Sequence, residues 1–332
     1  MIENKTILIT GGTGSFGQKC AEILLNNHAP KKTIIYSRDE LKQFEMRQRF
    51  SKEKYPAIRF FIGDVRDKER LYRAFQGVDY VIHAAALKQI SSCEYNPTEA
   101  IKTNILGAQN IINVAADAGV KKVVALSTDK AVNPINIYGA TKLCSDKLFI
   151  AANAFTAHNI CRFSVVRYGN VLGSRGSVLG IFFKHKPSGV LPITDKRMTR
   201  FWISLEQGVN FVLKAFERMY GGEIFVPKLP SMNILDFAKA VAPECKIKIT
   251  GIRPGEKIHE LMISKEYSRQ TVEYNDYYMI KPDTDYWHYR LNEKSCKLVH
   301  EEFEYNSKNN DWWLSIDEMR EIIKTYKNIN PK

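Results

Sequence analysis

Tyr138 and Lys142 stand four residues apart in the run Tyr-Gly-Ala-Thr-Lys, a spacing that puts both on one face of a helix. An ammonium beside a phenol favours the phenolate and lowers the phenol's pKa. A Tyr so placed can take the proton of a hydroxyl while hydride leaves the same carbon. The spacing alone says little, since Tyr277 and Lys281 share it and read as incidental. Position sets Tyr138 apart. It follows Ser127-Thr128-Asp129-Lys130, at the end of an apolar run of strand length, where Ser127 or Thr128 is placed to hydrogen-bond the reacting hydroxyl.

A hydride needs an acceptor, and the N-terminal run Thr10-Gly11-Gly12-Thr13-Gly14-Ser15-Phe16-Gly17 supplies the place for one. Gly11, Gly14 and Gly17 lie between a strand pattern and a helix pattern, where small residues let a dinucleotide's pyrophosphate approach backbone N–H groups and the helix dipole. The spacing is G-x-x-G-x-x-G, so the glycines gain weight only from that frame. The second strand ends Tyr36-Ser37-Arg38-Asp39. Ser37 and Arg38 suit a 2′-phosphate and favour NADP over NAD, while Asp39 is better placed to cap the next helix. Asp64, with Val65 beside it, is placed to accept from an adenine amino group, and Asp67 to cap a helix. After the fourth strand, His83 reads as structural, and Ala84, Ala85 and Ala86 let backbone pass close to the cofactor.

Elements must hold these groups in place. Strand-length apolar runs at 6–10, 33–37, 59–63, 80–84, 122–127 and 163–168 alternate with helix patterns at 14–27, 39–50, 67–75, 97–118 and 136–153. That alternation predicts an α/β fold: a Rossmann-type doubly wound parallel sheet, with ligands at the C-terminal strand ends. Prolines punctuate the second half. We expect residues 1–169 to form the NADP-binding domain, and 170–332 a smaller, interleaved, mainly substrate-binding region. Helical patterns recur at 204–218, 234–242 and 315–327, and 270–290 reads as a strand pair or ordered loop.

The 332 residues carry 49 Lys and Arg against 36 Asp and Glu, a net charge of +13. The basic residues are spread along the chain, with no zinc-finger spacing or basic arm, which argues against nucleic acid and for a phosphorylated small substrate. Arg175, Arg197, Arg200 and Arg253 are candidate phosphate ligands, since guanidinium matches phosphate oxygens. Lys88 sits beside the cofactor strand, within reach of the sugar or nicotinamide side. No run approaches the roughly 20 apolar residues of a membrane span, and no signal peptide is expected. Six scattered cysteines read as free thiols of a cytoplasmic protein with no metal site.

Together these motifs make the chain resemble an extended short-chain dehydrogenase/reductase acting on nucleotide sugars. It is most similar to the inverting UDP-N-acetylglucosamine 4,6-dehydratases of pseudaminic acid biosynthesis. The matching stretches are TGGTGSFG (10–17), YSRDE (36–40), GDVRD (63–67), HAAALK (83–88), LSTDKAVNPINIYGATK (126–142), VVRYGNVLGSRGSV (165–178), ITDKRMTRFW (193–202) and GIRPGEKIHE (251–260). Only about 265–310 lacks such motifs.

The resemblance implies roles. Tyr138 would deprotonate the 4-hydroxyl while NADP takes the C4 hydride. Lys130, where related retaining enzymes carry Glu, would remove the C5 proton, which requires a neutral amine and hence a lowered pKa. Asp129 would protonate the departing 6-hydroxyl, which requires a raised pKa; as neighbours at a strand end, the two side chains are expected to point different ways rather than to pair. Asn104 joins the cofactor residues. Asn170, Thr194, Met198 and Glu256 join Lys88, Thr128, Arg175, Arg197 and Arg253 around the UDP-sugar. A homo-oligomer, possibly a hexamer, is expected. Two alternatives stay open: a nucleotide-sugar 4-epimerase on the same scaffold, against which Asp129-Lys130 argues, and a non-catalytic NADP-binding protein, which often lacks the Tyr or the Lys.

Overall fold

The computed structural model describes residues 2–156, 161–282 and 296–329. The first half alternates strand and helix: β1 (Thr6–Thr10), α1 (Ser15–Asn27), β2 (Lys32–Ser37), α2 (Glu40–Arg49), β3 (Ile58–Ile62), α3 (Lys68–Ala74), β4 (Tyr80–His83), α4 (Ile90–Tyr95), α5 (Pro97–Ile101), α6 (Gly107–Asp117), β5 (Lys122–Thr128), α7 (Ile137–Phe155) and β6 (Arg162–Tyr168). There follow β7 (Asn170–Val171), α8 (Val178–His185), β8 (Val190–Ile193), β9 (Thr199–Ile203), α9 (Leu205–Arg218), β10 (Ile224–Pro227), β11 (Ser231–Asn233) and α10 (Ile234–Val241). The chain continues with β12 (Lys246–Ile249), β13 (Leu261–Ile263), β14 (Thr271–Glu273), β15 (Tyr277–Ile280), β16 (Lys297–Leu298), β17 (Tyr305–Asn306) and α11 (Ile316–Ile329).

The central sheet runs β16-β14-β15-β10-β6-β5-β4-β1-β2-β3. From β3 to β10 every pairing is parallel, and β15, β14 and β16 extend it antiparallel. The central strands are buried runs such as Thr-Ile-Leu-Ile-Thr in β1, as expected of a parallel sheet covered on both faces. Helices α3, α6 and α7 pack side by side, and α1 packs on α9. The order reverses between β1 and β4, and at such a switch point a crevice opens beyond the strand C-termini. The 270–290 segment contains the hairpin β14–β15, and its part from 283 lies outside the described residues.

A second core gathers Leu172, Phe182, Leu191, Met198, Trp202, Phe237, Met319 and others from the second half. Here Trp202 stacks on Phe237 with centroids 4.2 Å apart. The expected helix at 97–118 forms, with a π-helical bulge at Lys102–Leu106 between α5 and α6. Asn104 lies in that bulge and bonds across to the wall after β4, a tertiary tie that propensity does not reveal.

Candidate active site

A cleft of ≈ 1180 Å³ opens over the C-terminal ends of β1, β2, β4 and β5. Its floor is the turn between β1 and α1. Gly11 adopts φ +64°, and a Cβ there would sit 2.9 Å from the Ala85 backbone, so only glycine lets the turn touch the wall after β4. Helix α1 starts on Gly14 with no side-chain cap, whereas Asp39, Asp67 and Asn136 cap α2, α3 and α7. An uncapped first turn facing a cleft offers its N–H groups to an anion. Thr13, Gly14, Ser15, Phe16 and Gly17 line this part, with Val65 and Ala84–Ala86 opposite.

The cleft's rim at the end of β2 is basic. Ser37 Oγ meets Thr13 Oγ1 at 2.8 Å. The exposed Arg38 lies 3.5 Å from Asp64, which also binds Arg66 at 2.8 Å. Lys42 pairs with Asp39, whose carboxyl is held below its ordinary pKa by the Lys42 hydrogen bonds, with Arg175 adding to the effect. Arg175 therefore sits here, its N–H donating to Ser15 Oγ at 3.1 Å. The loop carrying it folds back over the glycine turn. His83 is buried, bonds Thr10 at 2.8 Å and is held neutral, its pKa lowered by burial to about 3, as a structural residue should be.

At the other end stand the acid–base residues. Tyr138 lies in the first turn of α7 and Lys142 one turn on; both line the cleft. Burial pushes the Tyr138 phenol up to about 12, against lowering by the Lys130 charge and a Thr128 hydrogen bond. Of the charges that oppose burial, the one that lowers the phenol's pKa here is Lys130, reaching it from the neighbouring turn. Burial lowers the pKa of Lys142 itself, and Asp146 opposes that. Ser127 turns inward, donating to Asp146 at 2.6 Å, which leaves Thr128 as the hydroxyl beside Tyr138.

Asp129 and Lys130 do not diverge as strand neighbours would. Strand β5 ends at Thr128, and Asp129–Ala131 is a 3-10 turn. Successive side chains there rotate by about 120° rather than alternating. Lys130 Nζ consequently lies 3.0 Å from Asp129 Oδ1. A second carboxylate, Glu260, reaches the same nitrogen at 3.2 Å. Burial disfavours the Lys130 charge, but Asp129 and Glu260 outweigh it and raise its pKa. This corrects the expectation of a lowered Lys130 pKa: the resting group is an ammonium. Asp129 is raised, as expected, by burial and by Glu260, with Lys130 opposing. Lys88 lines the same end, its pKa lowered by burial and by Lys130.

Asn170, Arg253 and Glu256 also line the cleft. Asn136 Nδ2 donates to Gly255 O at 2.7 Å, tying that loop to the cap of α7. Other expected residues lie elsewhere. Asn104 is buried behind the wall, bonding both backbone groups of Leu87 and the Thr141 hydroxyl, so it shapes the cofactor wall from behind. Thr194, Arg197 and Met198 are outside the cleft lining. Arg197 is an exposed partner of Asp195 at 2.7 Å, and Thr194 bonds the sulfur of the buried Met198. Arg200 is also buried and spent on backbone carbonyls of Thr199, Ile258 and Lys257. Sequence reasoning missed the buried Asp146, Arg167 and Glu260. The available signal was a charge inside apolar runs, as in Val-Val-Arg-Tyr and His-Glu-Leu-Met.

A family model described as polysaccharide biosynthesis protein matches residues 7–282. The chain belongs to that family. It is 58% identical to a UDP-N-acetylglucosamine 4,6-dehydratase (inverting) of Campylobacter jejuni, over 97% of this chain and 98% of that protein. It is 42% identical to a UDP-glucose 4-epimerase of Rickettsia canadensis, over 98% and 97% of the two. Among solved structures, Pen from Bacillus thuringiensis superposes with TM-score 0.90 at 35% identity, covering 98% of this chain and 99% of that one. A dTDP-glucose 4,6-dehydratase, DesIV of Streptomyces venezuelae, solved with NAD and TYD bound, superposes with TM-score 0.68 at 21% identity, over 76% and 86%. The last likeness shows the shared Rossmann-type fold.

Proposed function

We propose that this chain is a UDP-N-acetylglucosamine 4,6-dehydratase that inverts C5, a hydro-lyase producing the 4-keto-6-deoxy-L-arabino sugar nucleotide that opens pseudaminic acid biosynthesis. The observation that carries the reading is the Asp129–Lys130 contact of 3.0 Å beside Thr128 and Tyr138 in one cleft. An epimerase needs no acid for a 6-hydroxyl and no base for C5.

The residues fit a nicotinamide dinucleotide. The glycine turn and the uncapped α1 suit a pyrophosphate, and Gly11 allows the close wall. Ser37, Arg38, Lys42 and Arg175 form a basic rim suited to a 2′-phosphate, which favours NADP. When bound, that cofactor supplies hydride acceptance from C4 and return to C6, so the overall reaction is a dehydration.

The chain's own groups manage the protons. Tyr138, ionised, takes the proton of the 4-hydroxyl; Lys130 and Lys142 are the cations near it. The resting Asp129 carboxylate and Lys130 ammonium become carboxylic acid and free amine when one proton crosses their hydrogen bond. Lys130 then removes the C5 proton and Asp129 protonates the leaving 6-hydroxyl as water, which restores the ion pair. Asp129 Oδ1 is taken by Thr128 and Lys130, whereas Oδ2 has no hydrogen-bond partner among the described residues, so Oδ2 is the oxygen assigned to that hydroxyl. Thr128 Oγ1 donates to Asp129 Oδ1 at 2.8 Å and lines the cleft with Tyr138. With the Asp129–Lys130 pair already restored, the proton taken at the 4-hydroxyl stays on Tyr138. Reprotonation at C5 from the opposite face gives the inverted sugar, and Tyr138 gives up its proton to solvent in the same turnover, so every group returns to its starting state.

Asn170, Arg253 and Glu256 are assigned to the nucleotide side of the substrate. Residues 1–169 then serve mainly the cofactor and 170–332 mainly the substrate, in a cytoplasmic homo-oligomer. Among the described residues no helix is long and apolar enough to cross a membrane. The 42% identity to a named UDP-glucose 4-epimerase supports a second reading, 4-epimerisation by Tyr138 and Lys142. Incubation with UDP-N-acetylglucosamine in deuterated water, followed by mass and proton spectra, decides. Loss of water with deuterium at C5 of an L-arabino product supports the dehydratase. A 4-epimer of unchanged mass sinks it.

A further inference from the structure

We infer that Glu260 is a positioning residue of the acid–base unit: its carboxylate anchors Lys130 and sets how tightly Asp129 and Lys130 hold their shared proton. The inference rests on the dehydratase reading for its meaning, though not for its test.

Glu260 comes from a part of the chain far from Asp129 and Lys130, immediately before β13. Its backbone is pinned twice to Ser307, N–H to Ser307 Oγ at 2.9 Å and C=O from Ser307 N–H at 2.9 Å. Arg200 braces the preceding residues by donating to the carbonyls of Lys257 and Ile258, each at 2.9 Å, and its Nε lies 3.5 Å from Glu260 Oε1. The same Oε1 is 3.2 Å from Lys130 Nζ. Glu260 is only 2% exposed, and its second oxygen has no hydrogen-bond partner among the described residues.

Such an arrangement is a poor way to gain stability. Burying two carboxylates and two cations removes hydration that their attraction only partly restores, and apolar residues of similar size often do as well. A fold that keeps Glu260 in this position spends it on Lys130. Without it, Lys130 Nζ has Asp129 as its one carboxylate contact among the described residues. The other charged or titratable groups facing this centre are Tyr138, Lys88, Lys257 and Arg200, and none supplies a second negative partner at neutral pH. Two carboxylates on one ammonium fix its position from two sides. Glu260 also repels the Asp129 charge, so both members of the pair bind protons more tightly because of it.

Removing that charge has a directional consequence. In Glu260→Gln, which keeps the shape, Lys130 and Asp129 should both release protons at lower pH, by about one to three pH units. The first readout needs no turnover: titrate the lysine side chains of the purified holoenzyme by NMR with ¹³Cε-labelled lysine, assigning Lys130 with Lys130→Gln. Lys130 should lose its proton at lower pH in Glu260→Gln than in the wild type. An unchanged Lys130 titration overturns the inference, whether or not the protein turns over substrate. The second readout is the pH profile of kcat/KM with UDP-N-acetylglucosamine, where both limbs should move to lower pH. A lower kcat with unmoved limbs means a packing role and also overturns it. Glu260→Asp keeps the charge one methylene further away. It should give a smaller displacement in the same direction, and it serves if Glu260→Gln does not fold. Failure of the wild type to release water rejects the dehydratase reading alone.

Discussion

Gly139 packs its bare Cα against the main chain of Lys130, so closely that a Cβ would lie 2.1 Å from the Lys130 carbonyl oxygen. The helix carrying Tyr138 and Lys142 thereby rests directly on the turn carrying Asp129 and Lys130. The obstacle is backbone, which no rotamer change can relieve. Gly139→Ala should therefore lower stability by about 1–3 kcal/mol and kcat by about a hundredfold, as small misplacements of catalytic groups do. Thermal unfolding and initial rates measure both, and an unchanged kcat would show that the contact does not position the site.

The basic rim predicts cofactor selectivity. Arg38→Ala and Arg175→Ala should each weaken NADP binding by about ten- to a hundredfold, the scale of one charge-assisted hydrogen bond, with little change for NAD. Calorimetric titration of cofactor-stripped protein reads this directly. Equal losses for both dinucleotides would remove the 2′-phosphate assignment.

Two arginines from the basic set should separate cleanly. Arg253 lines the cleft, so Arg253→Ala should raise KM for the sugar nucleotide by about ten- to a hundredfold with a smaller change in kcat. Arg197 lies outside the cleft and pairs with Asp195 at 2.7 Å, so Arg197→Ala should leave KM within about twofold, since an exposed ion pair contributes little. The opposite ranking would place the substrate phosphates elsewhere.

His83 predicts a slope of stability with pH. Its folded pKa is about 3, against an ordinary value of 6.5. Between those values the unfolded chain binds a proton that the folded chain refuses, so this group's contribution rises with pH and is lost as pH falls from 6.5 toward 3. The slope is about 1.4 kcal/mol per pH unit. His83→Gln should flatten it. Urea unfolding at several pH values, wild type against variant, checks the difference. Parallel curves would mean that His83 does not carry the acid sensitivity.

Much of this architecture was legible because the residues concerned act locally. The buried runs of β1, β2, β4, β5 and β6, the glycine turn, the caps Asp39 and Asp67, and the Tyr138–Lys142 spacing are each decided within a few residues. What was hidden depends on distant segments meeting. The π bulge within the 97–118 helix carries Asn104, which bonds Leu87 across the fold, and short helix α4 carries no strong period. Arg175 reached the cofactor rim because its loop folds back onto Ser15. Glu260 reaches Lys130 from the other half of the chain, with Arg200 behind it. The Asp129–Lys130 pairing escaped for a local reason: alternation was assumed one residue beyond the end of β5.

The Asn136 side chain accepts from Gly139 N–H and donates to the Gly255 carbonyl. One amide thus fastens both the helix that does the chemistry and the loop that carries Arg253 and Glu256. A ligand that settles against that loop pulls on the same fastening as the phenol and the ammonium. Discrimination among nucleotide sugars then becomes a matter of speed as much as of grip, because a molecule ill-seated against that loop leaves the reacting end loosely held.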